Sequence, residues 1–410
     1  MYSTRGEKTV QVFDLLTTEN SVVMLNESDV MRVLFSISYY HPYVSGLSLY
    51  AKRLAFGLVA KGYQVTVLAT QHMKSLTLHE KEEGIDIVRV PYLFRFSKGF
   101  FMPLFLLRSF QEVRKADIIC VHLPQFEGIV ISFLTKLFNK KLVCIYHCEV
   151  QLPRFFGHRL IENVLHLSNM FSLFLADTVV TYTDDFANHA KLLNRVKQKV
   201  KTVYPPIPVP MIDQQKKKEF DTVFASLKKT IRIGVAARIA SEKGIEYLLQ
   251  AIPVIEKQLE RKVSILFAGP KNPVGEERYL QTITPLLKKY EEKIHFVGSL
   301  SQKEMGAFYS FLDVLVLPST NSTESFGMVQ VEAMFMGVPV VVSNLPGVRV
   351  PVQLTKMGEL VKIADSSDLA EKITKVVAQR KQYIKSQKEV VTIFSYDKTI
   401  EFYQDVLQRL

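Results

Sequence analysis

Residues 314–343 read VLVLPSTNSTESFGMVQVEAMFMGVPVVVS. Two β-branched runs, Val314–Leu317 and 339–343, flank a polar loop and a stretch from about Gly327 carrying Val329, Val331, Ala333, Met334 and Phe335, apolar enough to be buried as a helix. Strand, loop, helix and strand in that order form a parallel unit, because neighbouring parallel strands need a crossover between them. Working outward, the alternation recurs at Ile231–Ala236, Val263–Ala268 and 294–297. It appears earlier at Arg32–Ile37, 64–69, 86–90, 118–122, 142–147 and 178–182, with an amphipathic helix at 47–60. The expected fold class is α/β: two doubly wound Rossmann-like domains facing across a cleft.

Between the two series the pattern breaks at PPIPVP (205–210) and at the charged run QQKKKE (214–219), the composition of a connector. The expected organisation is an extension at 1–30, a first domain at 31–210, a linker at 211–230, a second domain at 231–385 and a helical segment at 386–410. In that last segment Ile400, Tyr403, Val406 and Leu407 have the spacing of one buried helix face, which could pack on either domain.

The 410 residues suffice for two to three domains. At 48% hydrophobic and 22% charged, composition excludes extended disorder and fibrous repeats. The longest apolar stretches, 99–107 and 163–176, fall short of the roughly 20 residues a membrane-spanning helix needs. Cys120, Cys144 and Cys148 are too few for a disulfide framework, and residues 1–30 lack a signal-peptide core, so the expected location is cytoplasmic. With 52 Lys and Arg against 40 Asp and Glu, the net charge of +12 implies an anionic partner: nucleic acid, lipid headgroups or phosphorylated metabolites.

Ligands of open α/β sheets bind beyond the carboxyl ends of the strands, so the loops there carry the candidates. In GVAARIASEKGIEYLLQAI (234–252), Arg238 and Lys243 lie between a strand and a helix. Two fixed cations and a helix N-terminus suit a diphosphate. In the opening stretch Glu324 lies in a loop and Glu332 eight residues later in the helix, about 10 Å away at ~1.5 Å of rise per residue. Amides around Phe326, Gly327 and Met328 point between them. That separation could span a nucleoside diphosphate sugar, with carboxylates accepting from sugar and ribose hydroxyls.

ESFGMVQVEAMFMGVPVVVS, with GVAARIASEKG before it, resembles glycosyltransferase family 4, the retaining group of GT-B fold that moves a sugar from a nucleotide diphosphate donor. The resemblance implies that Arg238 and Lys243 hold the donor diphosphate, that Glu324 contacts the transferred sugar, and that Glu332 binds the ribose. The amides at Ser325, Phe326, Gly327 and Met328 would support phosphate or sugar. It also implies front-face transfer, with a donor phosphate oxygen assisting deprotonation of the acceptor. No Asp-x-Asp string is present, and fixed cations can stabilise the leaving group, so no cofactor and no metal is expected.

SYYHPYVSGLSLYAKRLAFGLVAKGYQVTVLAT (38–70) resembles the family's opening strand, glycine loop and helix, with Gly46 in the loop and Leu47 where many members have a second glycine. His147, ending VCIYH, matches the family's histidine beside the transferred sugar; His122 ends IICVH. Cys144, His147 and Cys148 do not have a standard metal-ligand spacing. PYLFRFSKGFFMPLFLLRSFQEVRK (91–115) interleaves six phenylalanines with Arg95, Lys98, Arg108, Arg114 and Lys115, which suits an anionic membrane surface and a lipid-linked acceptor; burial of the helix against its own sheet is the competing reading. FFGHRLIENVLHLSNMFSLFLA (155–176) is a second candidate for lining the acceptor groove. Arg349, where members often have a glutamate, would add to the positive field and could favour an acidic or phosphate-bearing acceptor; plain solvent exposure is the competing reading.

The expectation is a hexosyltransferase of cell-envelope polysaccharide biosynthesis. It would move a hexose or related sugar from a UDP- or GDP-sugar to a lipid-linked or polysaccharide acceptor, on the inner face of the membrane, without nucleic acid as a partner. A nucleotide-sugar epimerase of the same architecture and a catalytically silent sugar- or nucleic-acid-binding protein are the alternatives. A dinucleotide oxidoreductase is disfavoured because neither opening loop has Gly-x-Gly-x-x-Gly.

Overall fold

The computed structural model describes residues 30–96, 99–151, 158–271 and 275–410. The expectations for residues 1–29, for Lys98 and for Phe155 to Gly157 lie outside the described residues.

The first half of the chain runs β1 (Arg32–Ile37), α1 (Gly46–Ala60), β2 (Gln64–Thr70), β3 (His79–Glu82), β4 (Ile85–Val90), β5 (Phe94–Phe96) and β6 (Gly99–Phe101). It continues through α2 (Phe105–Lys115), β7 (Ile118–Leu123), α3 (Gly128–Leu137), β8 (Lys141–Tyr146), α4 (His158–Leu175), β9 (Thr178–Thr181), α5 (Asp184–His189) and β10 (Val200–Thr202). These build an eight-stranded sheet in the order β10-β9-β8-β7-β1-β2-β4-β3, parallel except for β3 on the edge. The order reverses between β1 and β7, so loops 38–45 and 124–127 flank a switch point at the carboxyl edge.

The second half runs α6 (Gln214–Val223), β11 (Ile231–Ala236), α7 (Ile245–Leu259), β12 (Val263–Ala268), α8 (Glu277–Lys289), β13 (Ile294–Gly298), α9 (Gln302–Ser310) and β14 (Val314–Leu317). Then come α10 (Met328–Phe335), β15 (Val340–Ser343), α11 (Val350–Thr355), β16 (Gly358–Val361), α12 (Ser366–Ala378), α13 (Gln387–Ile393) and α14 (Tyr396–Gln408). Its six strands are parallel in the order β13-β12-β11-β14-β15-β16, with the reversal between β11 and β14. The central strands β12, β14 and β15 are buried along their whole length, as continuous apolar runs require.

Residues 214–223 form helix α6 rather than an open connector. Asp213 caps it by accepting from Lys216 N at 2.9 Å, and buried Phe220 packs its ring, tilted, against Phe311 of the second domain at 5.8 Å. The polar composition that reads as a linker is the solvated side of a helix with one apolar anchor.

The C-terminal helix α14 crosses back to the first domain. Ile400, Tyr403, Val406 and Leu407 are buried. The Tyr403 hydroxyl meets that of Tyr50 in α1 at 2.6 Å, and Tyr396 donates to the Arg53 carbonyl at 2.8 Å. One face of the first sheet is thus covered by α1 and α14, with a core continuous into the second domain. The other face carries a separate core under α2, α3 and α4.

Candidate active site at the facing carboxyl edges

Because β11 and β14 are neighbours at the reversal of the second sheet, the loops that follow them lie side by side. The first carries Arg238 and Lys243, the second Glu324. The structure joins them: Lys243 Nζ donates to Glu324 Oε2 at 2.6 Å, and Thr320 N donates to the Glu242 carbonyl at 2.9 Å. Gly244 makes the approach possible. Its φ of +60° is left-handed, and a Cβ there would collide with the Pro318 carbonyl oxygen. Arg238 donates to Glu242 at 2.7 Å and lies 4.0 Å from Glu276. Burial works against its charge, but these carboxylates and Tyr43 of the first domain raise its pKa, so it stays a cation facing the other domain.

α10 starts just past Glu324, behind Gly327, whose φ of +73° turns the chain into the helix. The amides of its first turn have no acceptor within the helix and aim their partial positive charge at the same space. Gly46 of the first domain stands opposite: a Cβ there would be 3.8 Å from the Met328 methyl. The glycine loop is therefore set against the α10 start, with Ser45 and Ser48 forming a capping box at the head of α1.

The remaining expected residues are held in less open ways. Phe326 is buried, 6.0 Å ring to ring from Tyr182, Tyr204 and Phe394. Ser325 donates its hydroxyl to the His147 carbonyl across the domains. Glu332 is buried with both oxygens engaged: Arg53 of α1 donates to Oε1 at 2.7 Å and Tyr309 of α9 to Oε2 at 2.7 Å.

The His147 ring does not face the Lys243–Glu324 pair. It is buried, its nitrogens bonded to His122 Nδ1 at 2.9 Å and to the Tyr182 hydroxyl, so its carbonyl and not its imidazole meets the donor loop. Burial, with His122 alongside, holds the His147 pKa well below the usual imidazole range, and burial alone takes His122 down to about 3. Two neutral imidazoles therefore end β7 and β8.

That burial has a pH signature. The unfolded chain takes up protons near pH 6.5 and the folded one does not, so stability is lost as pH falls below about 6.5. Between pH 6.5 and 5 the two rings together should remove about 3 kcal/mol of unfolding free energy. His122→Phe should roughly halve that slope in urea titrations. A wild-type profile flat over this range would show that the rings protonate in place.

Cys148, next in sequence, feels the Glu324 charge. Burial first, then the Glu324 and Glu242 carboxylates, push its thiol up to about 12. Cys144 points to the other side of the sheet, its thiol bonding the Ser172 carbonyl at 3.4 Å. The Cys144 thiol is therefore turned away from the His147 ring, which packs against Tyr50 and Tyr182. Arg349 is not a free acceptor cation either: its guanidinium grips Asp185 of the first domain at 2.5 and 2.9 Å, while Gly347 N donates to the same carboxylate at 2.8 Å.

Arg53, Tyr309, Asp185, Tyr182 and Cys148 were not among the expected residues. Two carried a signal. Arg53 sits on the apolar stripe of α1 with Tyr50, Leu54 and Gly57, where an unpaired cation would be costly. Tyr182 follows directly on a strand's carboxyl end.

Likenesses to known proteins bear on this arrangement. Residues 216–390 match the family model described as Glycosyl transferases group 1, and residues 44–209 match Glycosyltransferase Family 4. An uncharacterised glycosyltransferase of Methanocaldococcus jannaschii is 25% identical over 90% of this chain and 96% of its own. The O-antigen biosynthesis glycosyltransferase WclY of Escherichia coli is 24% identical over 57% of this chain and 66% of its own. Among solved structures, Anabaena HepE in complex with UDP and glucose superposes with a TM-score of 0.74 at 18% identity, over 93% of this chain and all of that one.

Proposed function

Because the chain belongs to the family 4 glycosyltransferases of GT-B fold, we propose that it moves a hexose or related sugar, with retention, from a UDP- or GDP-sugar to a lipid-linked or polysaccharide acceptor. The observation that carries this reading is the convergence at the second domain's switch point of Arg238, Lys243, Glu324 and the α10 N-terminus, facing Gly46 and Tyr43 of the first domain.

The donor pyrophosphate sits against Lys243, Arg238 and the first-turn amides of α10. Their fixed positive charge stabilises the nucleoside diphosphate as the bond from the sugar C1 to the phosphate oxygen breaks. The acceptor oxygen forms its bond to C1 on the same face, and its proton passes to the departing phosphate oxygen. Glu324 accepts from a sugar hydroxyl while Lys243 holds it in place. Glu332, oriented by Arg53 and Tyr309, accepts from the ribose with its remaining lone pairs once the domains part to admit the donor, and closure excludes water. In this reading Arg238, Lys243 and the α10 amides meet the pyrophosphate where other enzymes recruit a metal ion. His147 acts through its carbonyl and its packing, not as a base.

The UDP in the HepE complex supports a uridine donor, and the O-antigen role in the WclY name supports an envelope glycan as acceptor. The test is NMR of the product formed in EDTA from a nucleotide sugar and a lipid-linked acceptor. Retention of the anomeric configuration, with no epimer when the acceptor is omitted, is the expected result. An inverted product, a Mg²⁺ requirement or acceptor-free epimerisation would overturn the reading.

A further inference from the structure

The helices over the outer face of the first sheet carry large apolar side chains on their solvent side as well as on their core side. In α4, Leu160, Val164, Leu167, Phe171 and Phe174 recur at helical spacing and all are exposed, Leu160 by 70% and Leu167 by 68%. The inward side carries Ser168, Asn169 and Ser172 beside the buried Leu165 and Leu173. Ser168 donates to the Phe126 carbonyl at 2.8 Å, and Asn169 accepts from Gln125 N at 3.2 Å, which ties α4 to the loop before α3.

Next to it, α3 exposes Ile129, Phe133 and Leu137 while burying Ser132 and Thr135. α2 packs beside α3, exposing Leu106, Leu107 and Phe110 while burying Ser109 and Glu112. On the β5–β6 hairpin Phe94 and Phe101 stack at 5.0 Å with both rings exposed. Of the 26 exposed large apolar side chains among the described residues, 15 fall between positions 93 and 174. So large a clustered apolar surface marks an interaction site.

The charge around this face selects the partner. Arg95, Arg108, Arg114 and Arg159 stand on its elements, whereas Glu112 is buried against Lys115 at 2.8 Å, leaving Glu162 as the other acid on these helices. Among the described residues no helix is long and apolar enough to cross a bilayer. Apolar faces of this kind, ringed by cations, lie in the plane of a membrane surface. We infer that the α2–α3–α4 face and the β5–β6 hairpin dock this chain in plane on an anionic lipid bilayer. The 91–115 and 155–176 segments, each expected to serve the acceptor separately, form a single surface in this reading. α4 and the hairpin both follow carboxyl strand ends, so the docked face opens at the edge where the candidate site lies. This deepens the proposed function and rests on it for its purpose: it brings a lipid-linked acceptor to the donor.

The test is flotation of the full chain with phosphatidylcholine vesicles, with and without 30% phosphatidylglycerol, beside calorimetric titration of UDP-sugar and sedimentation velocity without lipid. The wild type should float with anionic vesicles and roughly tenfold less with neutral ones. Leu167→Ser/Phe171→Ser and Arg108→Gln/Arg114→Gln should each reduce flotation about tenfold with donor affinity unchanged, while Leu354→Ser on α11 should float as the wild type does. Three results would overturn the docking face: no flotation, equal flotation of either double variant, or equal binding to neutral vesicles. A lipid-free dimer that Leu167→Ser/Phe171→Ser dissociates would assign the face to a second copy instead. Intact flotation without donor binding would sink the transferase reading alone.

Discussion

Glu324→Ala and Lys243→Ala should each lower kcat by a factor of roughly 100 to 1000, the loss seen when one preorganised charge partner of a transition state is removed. Lys243 loses a fixed cation at the departing phosphate. Glu324 loses the acceptor that positions the sugar, and leaves the lysine without its partner at 2.6 Å. Neither change empties the core: both side chains are partly exposed, and the pair should cost no more than about 2 kcal/mol of unfolding free energy. That contrast separates a catalytic pair from a cross-link between two loops. A cross-link would show its loss in melting temperature, with kcat preserved. Near-normal kcat in either variant, measured on folded protein, would refute the assignment.

Arg53→Ala should be the most destabilising single change at the site, by about 3 to 5 kcal/mol. Its guanidinium is 8% exposed and meets a carboxylate that is 8% exposed, in the other domain. Truncation leaves Glu332 buried with Tyr309 as its remaining partner. Replacing both charges with apolar groups, Arg53→Met with Glu332→Leu, removes the uncompensated ion and should recover most of that loss. Donor affinity should not recover, because the ribose acceptor has gone. A double variant that regains both stability and donor binding would show Glu332 to be an interdomain clamp alone. One as unstable as Arg53→Ala would show that packing, not charge, sets the effect.

Strands such as β11, β12 and β14 were legible to the residue because burial on both faces writes them as continuous apolar runs. β3, HEKE, was not: it is a half-exposed edge strand whose side chains satisfy no apolar pattern. α6 hid behind its charge, with Phe220 as its anchor in the second domain. The packing of α14 was legible as a face but not as a destination, since the spacing of Ile400, Tyr403 and Leu407 names no partner, and Tyr50 supplies it from 353 residues away.

At the site the same division holds. Strand-end logic places Arg238, Lys243 and Glu324 each in a loop beyond a strand, a local property of β11 and β14; that the two loops adjoin comes from the sheet order. What surrounds Glu332 depends on long-range closure: Arg53 lies 279 residues away. The orientation of His147 depends on His122 and Tyr182, which come from neighbouring strands. A residue at the end of a strand can turn either toward the cleft or into the sheet, and the chain alone does not state which. The reading of 91–115 as a helix buried against its sheet is half met: α2 buries Phe105 and Val113 and leaves Leu106, Leu107 and Phe110 outside.

The central claim is that permanent protein charge, not a metal ion, grips the donor pyrophosphate. The most direct measurement is calorimetric titration of a panel of UDP-, GDP- and ADP-sugars in EDTA into wild type and Lys243→Ala. Binding of one of the nucleotide sugars by wild type in chelator, weakened roughly tenfold or more by Lys243→Ala, is the predicted result. Binding that appears only when Mg²⁺ is restored, or that Lys243→Ala leaves unchanged, would contradict it.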